Sequence, residues 1–155
     1  MHKKTEWFLL EYETHAKFQR YVAELNQLYL KYPALWQRDD SWEGFSWIDA
    51  DNKDQSIVSY RRIAENGDEL AVLINFTPVA YEDYIIGVPG EGKYVEMINS
   101  DDTRFGGSGV VNTGELKTQK FGAHGFENSL RLRVPPLGIT ILRQKKQRKP
   151  AKKKI

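Results

Sequence analysis

Apolar residues recur at Phe18, Tyr21, Val22, Leu25, Leu28 and Tyr29, the spacing of one helix face, while Lys17, Arg20, Glu24 and Gln27 fall on the other side. The spacing predicts an amphipathic helix over Thr14–Tyr32, with Thr14 as its N-cap. Pro33 is its stop, because the residue before a proline is pushed out of the helical region. After Trp36 the period shortens. Glu43–Asp49, Ser56–Ile63, Glu69–Phe76, Tyr81–Gly87, Lys93–Asn99, Ser129–Val134 and Gly138–Leu142 are short runs rich in β-branched and aromatic residues, separated by turn residues, and they predict about seven strands. Glu69–Phe76 is apolar almost throughout, the pattern of a strand covered on both faces. Asn66-Gly67 marks a hairpin, and Pro135-Pro136 separates the last two strands. The Gly-rich stretch between Ser100 and Asn128 is long for a loop, so it is expected to be functional or to hide short strands. The fold class is mainly β: an antiparallel Greek-key β-sandwich preceded by one amphipathic α-helix. No internal repeat is present.

Length and composition narrow the reading. At 155 residues, 40% hydrophobic and 28% charged, the chain is a globular domain and too short for a catalytic (β/α)₈ barrel. The absence of cysteine excludes disulfides and thiolate metal sites and suits a reducing compartment. No apolar run of membrane-spanning length and no signal peptide is apparent, so the expected location is the cytoplasm. The net charge of +2 conceals two opposite regions. From Arg143 onward there are eight Lys/Arg and no acid, whereas residues 1–142 carry 15 basic against 21 acidic side chains, a net of −6. The expected organisation is a helical segment over 1–36, a sandwich over 37–143 and a disordered basic tail over 144–155.

Motif matches carry little chemistry. Gly87–Lys93 (GVPGEGK) fits a phosphate-loop pattern, but Tyr94 stands where a Mg²⁺-binding Ser or Thr is needed, and a strand-like run follows. It reads as a hairpin turn. Ser108, in FGGSG, lacks the closing glycine and the strand–turn–helix setting of a nucleophile elbow. His2, His15 and His124 have no metal-ligand spacing, and no metal or cofactor is expected. Asn75-Phe76-Thr77 is a formal glycosylation sequon, idle in the cytoplasm. Aromatic rings offer the one binding chemistry, since their faces stack on the apolar faces of sugars. Each buries about 150–250 Å², so most of the tryptophans are expected to close the core or an inter-domain seam. Trp42 and Phe45, where linker becomes strand, are the candidate carbohydrate-binding pair. Nucleic acid is not the expected partner of the basic tail, because the body is acidic and no reading motif accompanies it.

Trp7-Phe8-Leu9-Leu10, His15, Leu25-Asn26-Gln27-Leu28-Tyr29 and Pro33-Ala34-Leu35 resemble the end of the barrel in 1,4-α-glucan (glycogen) branching enzymes, of the α-amylase superfamily. Gly44-Phe45-Ser46-Trp47-Ile48-Asp49 is similar to the start of their C-terminal domain, and Asn75-Phe76-Thr77-Pro78-Val79 to a signature within it. Ile86-Gly87-Val88-Pro89, Asn99-Ser100-Asp101, Gly106-Gly107-Ser108-Gly109 and Val134-Pro135-Pro136-Leu137 follow in the family's order. The ordered set carries the resemblance, from about Glu6 to Leu142.

The resemblance implies the C-terminal all-β domain of a glucan-branching transferase, preceded by the barrel's last helix. The family's catalytic carboxylates lie in the barrel, and no position here matches them, so the chain is expected to be inactive alone, whether as a split or a truncated gene product. An α-glucan such as glycogen and a catalytic barrel, missing or on a separate chain, are the implied partners. A free-standing α-glucan-binding module is the alternative. Apolar helix residues without a barrel to cover them are expected to cause self-association.

Overall fold

The structure is a computed structural model and describes residues 6–146. A 3-10 turn over Trp7–Glu11 leads into helix α1, Glu13–Lys31, and a second 3-10 turn over Pro33–Leu35 follows. The strands are β1 (Phe45–Asn52), β2 (Ile57–Ile63), β3 (Glu69–Asn75), β4 (Tyr81–Val88), β5 (Lys93–Asn99), β6 (Leu116–Lys117), β7 (Asn128–Val134) and β8 (Ile139–Gln144). Every predicted strand is present. The start of α1 differs: Tyr12 is the N-cap, no side chain caps the helix, and Thr14 lies within it. The extra turn before the helix carries the chain in with backbone bonds alone, Tyr12 N–H donating to Leu9 and Ala16 N–H to Tyr12. At the β2–β3 turn only Gly67 takes a positive φ, +81°. Its N–H closes on Ala64 O, and Asn66 instead uses its side-chain oxygen to accept from Asp68 N–H.

All pairings are antiparallel. Six strands form one sheet in the order β1-β2-β3-β8-β5-β6, and β4 with β7 forms the second. The long returns that place β8 between β3 and β5 are of the Greek-key kind. Ile48, Ile57, Leu73, Tyr94 and Leu142 from the large sheet meet Tyr84, Ile86, Val88, Leu130, Leu132 and Val134 from the small one. The opposite face of the large sheet carries Leu70, Val72, Ile98 and Ile141, and α1 with the turn after it covers them through Tyr21, Leu25, Leu28, Tyr32, Ala34 and Leu35. The molecule therefore has three layers, helix, six strands and two strands. β3 lies in the middle layer, which is why its sequence is apolar on both sides. Each fully buried aliphatic side chain contributes about 1.5–3 kcal/mol.

The stretch after β5 holds a 3-10 turn, Thr103–Phe105, and the two-residue β6. Asp101 organises it: its carboxylate accepts from Ser108 N–H (2.8 Å), Ser108 Oγ (2.7 Å) and Val110 N–H (2.9 Å). Burial pushes Asp101 up, but these bonds and the charge of Arg133 outweigh it and hold the carboxyl below its ordinary range. Both edges of the large sheet are irregular or short. The β1–β2 register shifts twice, between Trp47 and Asp49 and between Asp49 and Asn52, and β6 has only two residues. β8 continues through Gln144, and Lys145 N–H donates to Lys93 O at 2.8 Å. The expected tail at 144–155 thus begins as ordered chain, and its remainder lies outside the described residues. No described helix is long and apolar enough to cross a membrane.

Candidate functional site

Residues 36–44 connect the helical layer to β1 and would wander unless tied down. Arg62, on β2, holds them. Its guanidinium donates to Ala34 O (3.3 Å) and Leu35 O (3.5 Å) and pairs with Asp39. Gln37 Oε1 accepts from Glu65 N–H at 3.1 Å, and Arg38 reaches Glu43 at 3.5 Å. Gly44 packs so closely that a Cβ there would stand 2.2 Å from Arg38 O. The result is a strapped connection with a hollow of about 410 Å³ on its surface, lined by Asp39, Asp40, Ser41, Trp42, Phe45 and Arg62.

Both candidate sugar-binding residues line this hollow. Trp42 is 91% exposed, its indole open to solvent. Phe45 is half-buried. Its ring stacks on Tyr60 (centroids 5.1 Å, 29° between planes) and meets Trp47 edge-on at 4.9 Å. Burial raises the Tyr60 hydroxyl above its ordinary value, with Arg62 pulling against it. An aromatic surface beside a charged pair can stack and hydrogen-bond a polyol. It is not built to cleave one: glycoside chemistry needs two carboxylates flanking the bond, and the acids here, Asp39 and Asp40, are adjacent on one loop, with Asp39 engaged by Arg62. A second crevice, of about 510 Å³, is lined by Tyr81, Tyr84, Asn52, Gln55 and His124 among others. Its acids, Glu82 and Asp83, are again sequence neighbours, paired with Arg133 and Arg131.

Of the expectation that most tryptophans close the core or an inter-domain seam, the core half is overturned. Trp7, Trp36, Trp42 and Trp47 are 68%, 41%, 91% and 54% exposed. Aliphatic residues and tyrosines fill the two cores, and the indoles lie on the connection, the turn before α1 and the edge strand. The apolar face of α1 is also wider than the sheet it covers. Tyr21, Leu25, Leu28 and Tyr32 dock, whereas Phe18, Val22, Tyr29 and Leu30 remain exposed alongside Phe8 and Tyr12.

Sequence reasoning missed two polar hubs. Asn75 is 2% exposed. Its amide donates to Val79 O and Pro135 O at 2.8 Å each, and its oxygen accepts from Thr77 N–H (3.0 Å) and Thr77 Oγ1 (2.8 Å). The sequon is thereby a turn brace. His124, at φ +50°, accepts from Gly87 N–H through Nδ1 at 3.0 Å and sets Nε2 3.3 Å from Asp49, tying a loop to β4 and β1. For His124 the available signal was Gly87, where a Cβ would stand 2.0 Å from Ala123 O. Gly87–Lys93 forms the end of β4, its turn and the start of β5, and Ser108 serves Asp101 rather than any nucleophilic role.

Comparison with known proteins gives matches over nearly the whole chain. The family described as alpha amylase, C-terminal all-beta domain, matches residues 47–145. The 1,4-alpha-glucan branching enzyme GlgB of Desulfitobacterium hafniense (strain Y51) is 46% identical over 142 residues, 91% of this chain and 22% of the relative. Those of Oceanobacillus iheyensis (44% over 140 residues; 90% and 22%) and Prochlorococcus marinus strain NATL1A (42% over 144 residues; 92% and 19%) are similar to it over the same span. The chain spans about a fifth of the length of these relatives.

Proposed function

Because this chain belongs to the family of α-amylase C-terminal all-β domains, we propose that it is the accessory domain of a 1,4-α-glucan branching enzyme of glycogen biosynthesis. It carries none of that enzyme's catalytic carboxylates and works in the cytoplasm against a catalytic barrel, in the same chain or a separate one. The observation that carries this reading is the uncovered apolar surface of Trp7, Phe8, Phe18, Val22, Tyr29 and Leu30. A single chain gains nothing from exposing six large side chains on one helical segment, and a patch of that kind marks an interface. Without the barrel, the same surface drives self-association. In a branching assay read by the iodine absorbance of amylose, the isolated chain is expected to be inert. The Desulfitobacterium enzyme carrying this chain in place of its matching region should branch. Branching by the isolated chain would overturn the proposal.

Trp42 favours a second reading, a free-standing α-glucan-binding module. A nearly fully exposed indole, held by a strapped loop beside Phe45 and Arg62, is preorganised for stacking on a sugar ring. Affinity electrophoresis in glycogen decides it. Retarded migration that Trp42→Ala abolishes supports the module, and unchanged mobility of the wild type removes it.

A further inference from the structure

The β3–β4 and β7–β8 connections meet in an apolar tip that the sandwich leaves uncovered, and we infer that this tip docks into an apolar depression on the catalytic domain with which the chain works. Leu137 has φ +44°, a left-handed backbone that glycine takes freely and an L side chain takes at a cost. Residue 137 is nevertheless leucine, and it is 68% exposed. On the facing connection, Phe76 and Val79 are 62% and 52% exposed. None of the three belongs to either core.

Strained backbone persists where its surroundings enforce it, and here they do. Leu137 N–H donates to Thr77 O at 2.8 Å. The Asn75 amide grips Val79 O and Pro135 O, one on each connection, while its oxygen holds Thr77. The two loops are locked together, and three apolar side chains are displayed at fixed positions.

Charge and position select the occupant. Residues 70–81 and 134–142 contain no charged side chain, in a chain that is 28% charged. The two connections themselves carry no charge and few polar groups and fit a dry protein surface, while the β1–β2 turn that accepts Phe76 N–H at Ser56 O brings the Asp51–Lys53 pair beside them. It also stands at the end of the large sheet where α1 begins. Ser100 N–H donates to Ile139 O (3.0 Å) and its Oγ accepts from Ile139 N–H (2.8 Å). The turn that follows puts Phe105 5.2 Å from Tyr21 and Gly106 beside Lys17 of α1, and Arg143, at the far end of β8, lies over Tyr32 beyond the end of the helix. The uncovered Trp7, Phe8 and Phe18 lie on that first stretch of the chain. A C-terminal domain receives the rest of its protein at its own beginning, so one body can cover both surfaces. The inference rests on the accessory-domain reading above.

Two proteins test it: the isolated chain, and the Desulfitobacterium branching enzyme carrying this chain in place of its matching region. Leu137→Gly relieves the backbone and deletes the side chain. It should leave the melting temperature of the isolated chain unchanged or raised, yet split the single thermal transition of the full-length chimera into two. Phe76→Ser should split it likewise. An unchanged single transition in both variants overturns the docking. So does a lowered melting temperature of the isolated Leu137→Gly chain, which would make Leu137 a packing residue. Dimers of the isolated chain dissolved by Leu137→Gly would make a second copy the occupant and overturn it too. An inactive unsubstituted chimera would sink the accessory-domain reading itself, and this inference with it.

Discussion

Asn75 and Asp101 each concentrate in one short side chain the bonds that hold a turn. Replacing Asn75 by Ala leaves Val79 O, Pro135 O and Thr77 without partners at a 2% exposed position, and the loss should be about 2–3 kcal/mol in urea unfolding. Titration separates the carboxylates by sign. Asp101 is held below its ordinary value of 3.8, so its contribution is complete above that value in the folded chain and disappears as pH falls through the lowered pKa. Glu96 and Glu69 behave oppositely. Burial raises both above 4.5, against bonds from Asn112 and Asn99 in the first case and the Arg61 charge in the second. Their contribution is present below 4.5 and is lost as pH rises through the raised values. As pH climbs from 4.5, the urea midpoint of Glu96→Gln should therefore rise relative to that of the unsubstituted chain. Neither hub was legible in the sequence. Nothing in the strings Asn-Phe-Thr and Asn-Ser-Asp says that Asn75 will donate to Val79 O and to Pro135 O sixty residues on, or that Asp101 will accept from Ser108 and Val110.

Elements were far more legible than hubs, because periodicity reports burial directly. The seven main strands and α1 follow from alternation and from the 3.6-residue repeat. What periodicity cannot report is how wide the covering surface is. The stripe from Phe18 to Tyr29 is one apolar face in the sequence, yet the sheet reaches only the row Tyr21, Leu25, Leu28 and Tyr32. The strap is similarly hidden: Arg62 looks like a solvated strand residue until its side chain is found, 16% exposed, bonded to Ala34, Leu35 and Asp39. Arg62→Ala should destabilise the chain by about 1–3 kcal/mol, because carbonyls and a carboxylate lose their donor together. Gly44→Ala, with a Cβ 2.2 Å from backbone oxygen, should disrupt the same connection by forcing it apart. If the hollow binds glucan, both substitutions should weaken retardation in glycogen without touching Trp42.

At the scale of the molecule, an acidic body, a basic end and an uncovered apolar helix face are combined in one chain. Phe18→Glu together with Val22→Glu should leave the fold intact, since neither residue packs on the sheet, and should convert any self-associated species to monomer in light scattering. Aggregates that persist in the double variant would place association elsewhere. The large sheet's own borders argue against a fibrillar route. β1 is twice bulged and β6 spans two residues, so neither border offers a straight ladder of free amides long enough to template another copy. Crowding this polypeptide should consequently yield amorphous, detergent-reversible clumps that leave thioflavin dark, rather than amyloid.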